Sequence, residues 1–228
     1  MNTQALEDGS GAGERRAWGS LDRAHIVETA VALARREGMA ALTIRRLAAE
    51  VGASRMALYR HIPDKDALLG LVADAVAESE VIPDEARNGP WQQRLRHLAH
   101  GMHRRLTAYP GLAELIVIRG NHGPGGLRLA ETIVETLSEA GHDEPTTARY
   151  YLVFIDLVLG RAHREAAQGD PTTPRRNAAL LDAAERRADA PRLAALAPHL
   201  RAVTHDQVFE TELDILIRAL AGDHGKHG

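Results

Sequence analysis

Residues Thr43 to Lys65 read T-I-R-R-L-A-A-E-V-G-A-S-R-M-A-L-Y-R-H-I-P-D-K, and the division of this stretch decides the fold. Ile44, Leu47, Ala48 and Val51 recur at helical spacing and put one apolar stripe on a short helix. Thr43 precedes it, where a hydroxyl can accept a hydrogen bond from a free amide of the first turn. Gly52 follows at once, where a helix end favours a residue that tolerates positive φ. Ser54 is placed to cap a second helix, with Leu58 and Ile62 facing inward. Pro63 disfavours helical geometry at Ile62 and stops that helix.

What the second helix leaves outside is Arg55, Met56, Ala57, Tyr59 and Arg60, with His61 at the border. Guanidinium groups can donate two hydrogen bonds to guanine, while Ala and Met can touch a thymine methyl. Helix, glycine turn, helix is also the layout in which a second helix enters the major groove.

From Leu42 to Leu69, L-T-I-R-R-L-A-A-E-V-G-A-S-R-M-A-L-Y-R-H-I-P-D-K-D-A-L-L, the chain resembles the TetR family of repressors. Its L-Y-x-H-x-x-x-K core, Leu58 to Lys65, is most similar to the tetracycline-repressor branch. The motif covers the first third of the chain; a looser likeness covers the rest. The resemblance implies a dimer that binds a double-stranded DNA operator and releases it when a small molecule enters a C-terminal domain. It implies that Arg45, Arg55, Met56, Ala57 and Tyr59 face bases or phosphates. It also implies that Thr43, His61 and Lys65 hold the DNA backbone. Ser54 and Arg60 complete the candidate set, although Arg60 stands where the family often has an aromatic residue.

The net charge of −3 on 228 residues argues at first against a nucleic-acid partner. Its distribution answers that. The stretch from Thr43 to Lys65 carries four Arg and one Lys against Glu50 and Asp64, and affinity for DNA depends on local phosphate neutralisation. With 44% hydrophobic and only 4% aromatic residues, the chain can bury a core that favours helix over a large β-sandwich. The absence of cysteine excludes disulfides and thiolate metal sites. No apolar run reaches a membrane span and no signal-peptide core opens the chain, so the expectation is a cytoplasmic, soluble protein.

Outward from the central stretch, residues 1–19 lack periodicity and read as a disordered arm, from which Arg15 and Arg16 could reach a minor groove. Ser20 or Asp22 starts a supporting helix with Ile26, Ala30, Leu33 and Ala34 inward. Residues 20–66 then form a three-helix DNA-binding domain, and 67–82 a connecting helix suited to act as a lever. The run V-I-P-D-E-A-R-N-G-P, Val81 to Pro90, marks the boundary to a helical ligand-binding and dimerisation domain over 83–228. There we expect helices over 91–108, 112–118 and 127–140, the last with Leu129, Ile133, Val134 and Leu137 inward. Residues 121–126 (N-H-G-P-G-G) read as a loop. Two further helices cover 146–168 and 206–221. Between these, 169–174 reads as a loop, 175–190 as a polar segment with some helical character, and 191–198 as an irregular link. The fold class is all-α.

Within the second domain, apolar positions suggest a pocket for a small hydrophobic ligand lined by Leu98, Met102, Leu115, Ile118, Leu129, Ile133, Tyr151, Phe154 and Val158. His100, Arg119 and Tyr150 are its polar candidates. Residues 150–159 are apolar on every side except Asp156, so that helix needs cover on two faces. A dimer of two such helix pairs supplies it, through Phe154, Leu157, Arg161, Phe209, Leu213, Leu216, Ile217 and Leu220. His97, His100 and His103 recur every three residues, with His163 as a fourth candidate. Their arc is wider than one coordination sphere and no carboxylate partner is evident, so they read as surface groups and no metal or cofactor is expected. No phosphate loop, G-x-S-x-G or H-E-x-x-H occurs, and the expected protein is not an enzyme. Two rivals stay open: a metal-dependent helical enzyme built on these histidines, and a ligand-binding protein whose three-helix unit does not engage DNA.

Overall fold

The computed structural model describes residues 22–79, 87–168 and 178–222, and every described element is helical. The expected N-terminal arm, Ser20, most of the interdomain boundary, the loop at 169–174 and the C-terminal D-H-G-K-H-G lie outside the described residues.

Four helices make a head. Asp22 caps α1 (Arg23–Glu37), its carboxylate accepting from the Ala24 amide at 3.3 Å. Thr43 caps α2 (Ile44–Glu50) and Ser54 caps α3 (Arg55–Tyr59), each hydroxyl accepting from the backbone amide three residues on. Gly52 sits between them at φ +68, the left-handed region that glycine enters without steric cost. The α3 helix closes sooner than the apolar spacing suggested, yet the Ile62 amide still donates to the Leu58 carbonyl at 2.9 Å. That last loose turn brings Ile62 to 3% exposure beside the fully buried Leu58. Asp64 caps α4 (Lys65–Glu78), which packs on α1 in the head.

The body follows in α5 (Trp91–Ala108), α6 (Leu112–Arg119), α7 (Pro124–Ser138) and α8 (Glu144–Gln168). Then come α9 (Ala178–Glu185), α10 (Pro191–Ala202) and α11 (His205–Gly222). Helix α8 is the spine, packed on by α5, α6, α7 and α11. One hydrophobic core runs from Ile26 in α1 to Leu220 in α11 and includes Leu68, Val72 and Val76 of α4, so head and body share an interior. A second joint lies at the end of α1, where the Met39 amide donates to the Pro110 carbonyl at 2.8 Å.

Three expectations need correction. Residues 124–126 are not loop: α7 begins at Pro124, whose fixed φ and missing amide suit a first helical position. Val134 is 36% exposed rather than inward. The segment from Pro191 is helical through Ala202, with Pro198 inside it. Pro198 has no amide to donate, so the helix lacks the bond to the Ala194 carbonyl at that point. Helices α9 and α10 pack on each other through Leu181, Ala184 and Ala197, which lie outside the main core cluster.

Candidate nucleic-acid interface and effector cavity

The head holds α3 by its inner side and leaves its outer side free. Met56 is 75% and Tyr59 47% exposed; Arg55 and Arg60 are exposed beside them, with Ala57 half-buried and His61 exposed at the end. A five-residue helix has no stability of its own. The Ser54 cap and the burial of Leu58 hold it. Ser54 and Thr43 use an oxygen lone pair on the capped amide, which leaves each hydroxyl proton available to a phosphate.

The structure also sorts the cations of the central stretch. Arg46 donates to Glu37 and Glu50, and Arg36 to the same two carboxylates. Hydrogen bonds from Arg46 first, then Arg36, hold the Glu37 carboxyl below its usual range; Arg36 does the same for Glu50. Arg45, Arg55, Arg60 and Lys65 are exposed and have no ion-pair partner among the described residues. Arg45, the one of the two arginines expected to face DNA, stays unpaired, while folding brings Glu37 to Arg46. Lys65 begins α4 next to its cap Asp64, where the helix N-terminus and the ammonium both attract an anion.

In the body, a cavity of about 380 Å³ opens between α4, α5, α7 and α8. Met102, Leu129, Ile133 and Tyr151 line it; so do Ala73, Val76, Leu106, Ile116, Leu127, Ala130, Ile155 and Leu159, which sequence reading missed. Arg105, Asn121 and His122 are its polar members. Other candidates lie elsewhere. Leu98, Phe154 and Val158 are core residues at 1% exposure or less, and Ile118 is 70% exposed. Leu115 and Arg119 line an adjoining cleft of about 450 Å³ with Arg23, Asp66 and Asp74. Tyr150 stacks on His142 at 5.6 Å. The missed signal was register: Tyr151, Ile155 and Leu159 are four apart and share a face of α8, whereas Phe154 and Val158 belong to the neighbouring face.

His100 is on the α11 side of α5, 2.9 Å from Glu210 and edge-on to Phe209. Burial pushes its imidazole below the ordinary value, against the opposing pull of Glu210. His103 meets Glu165 at 2.8 Å. These two histidines therefore have carboxylate partners after all, on helices distant in sequence. Among the described residues no three His, Asp or Glu side chains converge to hold a metal ion.

The residues expected between two copies are largely covered within one. Phe154, Phe209, Leu213, Leu216 and Leu220 are all under 5% exposed, because α11 packs on α8 of the same chain. Arg161 is buried against Glu212, while Leu157 and Ile217 are half-buried. Among the described residues, the large apolar side chains still exposed on these helices are Leu152, Val153 and Ile215.

A capped, outward-facing helix-turn-helix is joined here to a cavity-bearing helical body, the layout of a helix-turn-helix regulatory protein. The chain belongs to the tetR family of bacterial regulatory proteins, whose family model matches residues 26–72, while the tetracyclin repressor-like C-terminal domain matches 82–222. A curated relative is the HTH-type transcriptional repressor DrrR1 of Streptomyces coeruleorubidus, 30% identical over 76% of this chain and 63% of that protein. The chain thus spans about three fifths of the length of that relative. Tetracycline repressor class A from transposon 1721 of Escherichia coli is 28% identical over 86% of this chain and 88% of its own. Among solved structures, Streptomyces coelicolor ActR in complex with actinorhodin superposes with a TM-score of 0.78 at 27% identity, covering 91% of this chain and all of that one. No described helix is long and apolar enough to cross a membrane.

Proposed function

We propose that the chain is a homodimeric transcriptional repressor, cytoplasmic and without catalytic activity, that a small hydrophobic ligand releases from a palindromic operator. The observation that carries this reading is the outer face of α3, with Arg55, Met56, Tyr59 and Arg60 exposed on a helix whose inner residues are buried. Two such helices, one per protomer, reach successive major grooves when ~34–36 Å apart. The uncovered Leu152, Val153 and Ile215 supply the pairing surface on α8 and α11. The cavity supports the ligand step: it is apolar over most of its lining and has α4 as one wall. ActR has been solved in complex with actinorhodin, and that compound is the first probe to try here.

The test is selection of bound fragments from random double-stranded DNA, followed by anisotropy titration of the winning fragment over a range of salt. A palindromic site and a steep loss of affinity with salt are expected. Lys65→Ala should weaken all sequences alike and lower the salt slope by about one. Salt-insensitive or absent binding would return the reading to a ligand-binding protein that does not use DNA.

A further inference from the structure

Arg35, Arg104 and Arg105 have no part in the reading face, and folding gathers all three at one cleft. It measures about 220 Å³ and lies between the end of α1 and the last turns of α5, with Gly101, Ala108 and Tyr109 completing its wall. Gly38 makes this approach possible. At φ +84 it brings the chain so close to the next segment that a Cβ there would stand 3.2 Å from the Pro110 carbonyl oxygen. The Met39 bond to the same carbonyl holds the two segments together.

The charge of the wall is one-sided. No Asp or Glu is among the described residues that line it, and Arg35 and Arg104 have no ion-pair partner among the described residues. Their neighbours differ: Arg36 pairs with Glu37 and Glu50, and His103 with Glu165. Two helices end here, each C-terminus carrying roughly half a negative charge. Together they offset about one of the three guanidinium charges, which leaves the cleft positive. Tyr109 adds a neutral donor. It is 4% exposed, and its hydroxyl has no hydrogen-bond partner among the described residues, so its proton is available to an occupant.

The number and spread of these donors select the ligand. A carboxylate is satisfied by one guanidinium fork through two parallel bonds. Guanidinium groups from two helices, together with a phenol, suit a group whose three or four oxygens point apart. Pockets for drug-sized molecules run to about 300–1,000 Å³, so this one takes something smaller. We infer that the cleft is a binding site for a small tetrahedral oxyanion, either free phosphate or the phosphate end of a small ester, which ties α1 of the head to α5 of the body.

The test is the melting temperature of the full chain, titrated with phosphate to about 20 mM while chloride holds the ionic strength constant. The wild type should rise by about 3–6 °C, the effect of a ligand at roughly ten times its Kd. Arg35→Gln combined with Arg104→Gln should lose most of that rise. Without phosphate the double variant should melt no lower than wild type, because no carboxylate loses a partner. Where it does not fold, Arg104→Gln alone carries the comparison, since Arg104 is exposed. Tyr109→Phe should weaken phosphate about tenfold, as losing a hydrogen bond to a charged group does. Phosphate held on α3 or at the start of α4 is told apart by Arg60→Gln and Lys65→Ala, which should leave the rise intact. Glycerol 3-phosphate separates the two sources: a larger rise than with phosphate assigns the site to an ester, an equal or smaller one to the free ion. No rise in the wild type, or an equal rise in the double variant, overturns the site. So does a salt slope for the selected DNA fragment that Arg104→Gln lowers by about one, because the cleft then holds a DNA phosphate.

Discussion

The head starts every helix with a side-chain cap, and the body only some of them. In the head, α1, α2, α3 and α4 each begin with a side-chain cap, from Asp22, Thr43, Ser54 and Asp64. In the body, α5, α6 and α7 begin at Pro90, Gly111 and Gly123, none with a side-chain cap bond, whereas Asp143 caps α8 and Thr204 caps α11, accepting from the Thr146 and Gln207 amides at 2.9 and 3.2 Å. The head helices α2 and α3 have seven and five residues, too short to persist alone, so local hydrogen bonds must supplement packing. The body helices run to 18 and 25 residues and are held by burial along α8. The head needs a cap at every helix; the body uses caps at some and relies more on burial.

The largest effect expected from this contrast is at the inner side of α3. Leu58 is fully buried, and Leu58→Ala should lower unfolding stability by about 2–5 kcal/mol and abolish operator binding. Denaturant titration with a binding assay checks both. A variant that keeps its stability would mean that α3 is not held by its inner face. Next comes the outer face: Arg55→Ala should cost about 1–3 kcal/mol at one base position and relax the sequence preference there, with no change in stability. Repeating the selection from random DNA reads this directly, and an unchanged consensus would remove Arg55 from base reading.

Ser54→Ala should cost roughly 0.5–2 kcal/mol, since its hydroxyl accepts from the Ala57 amide at 3.1 Å. If thermal melts show no loss, the cap does not contribute to holding α3. The smallest effect concerns His100 in the body. Burial lowers its folded-state pKa, so the unfolded chain takes up a proton first as pH falls below about 6.5. The contribution of neutral His100 to stability is therefore present at neutral pH and lost on acidification. His100→Gln should show a smaller drop in melting temperature than wild type between about pH 7.5 and 5.5. An identical drop in both would assign the acid sensitivity elsewhere.

The readable and unreadable parts of the molecule follow the same division. Caps, a glycine turn and the Leu58–Ile62 spacing are local, so the helix-turn-helix and its exposed residues could be derived from adjacent positions. The cavity could only in part: Met102, Leu129, Ile133 and Tyr151 were expected there, its other lining residues were not. On α8, Tyr151 and Phe154 are both aromatic and only three residues apart, yet one lines the cavity and the other is core. Which face of an all-round apolar helix meets empty space depends on what packs against it.

From the sequence alone came an all-helical chain, the position of its reading helix, and the excess of positive charge around it, because each depends on neighbours within a turn or two. Tertiary structure alone decided which arginines stay unpaired, which apolar residues face the cavity, and that Arg35 and Arg104 line one cleft. Those are matters of distance between segments far apart in the chain, and residue type and spacing carry no measure of that distance.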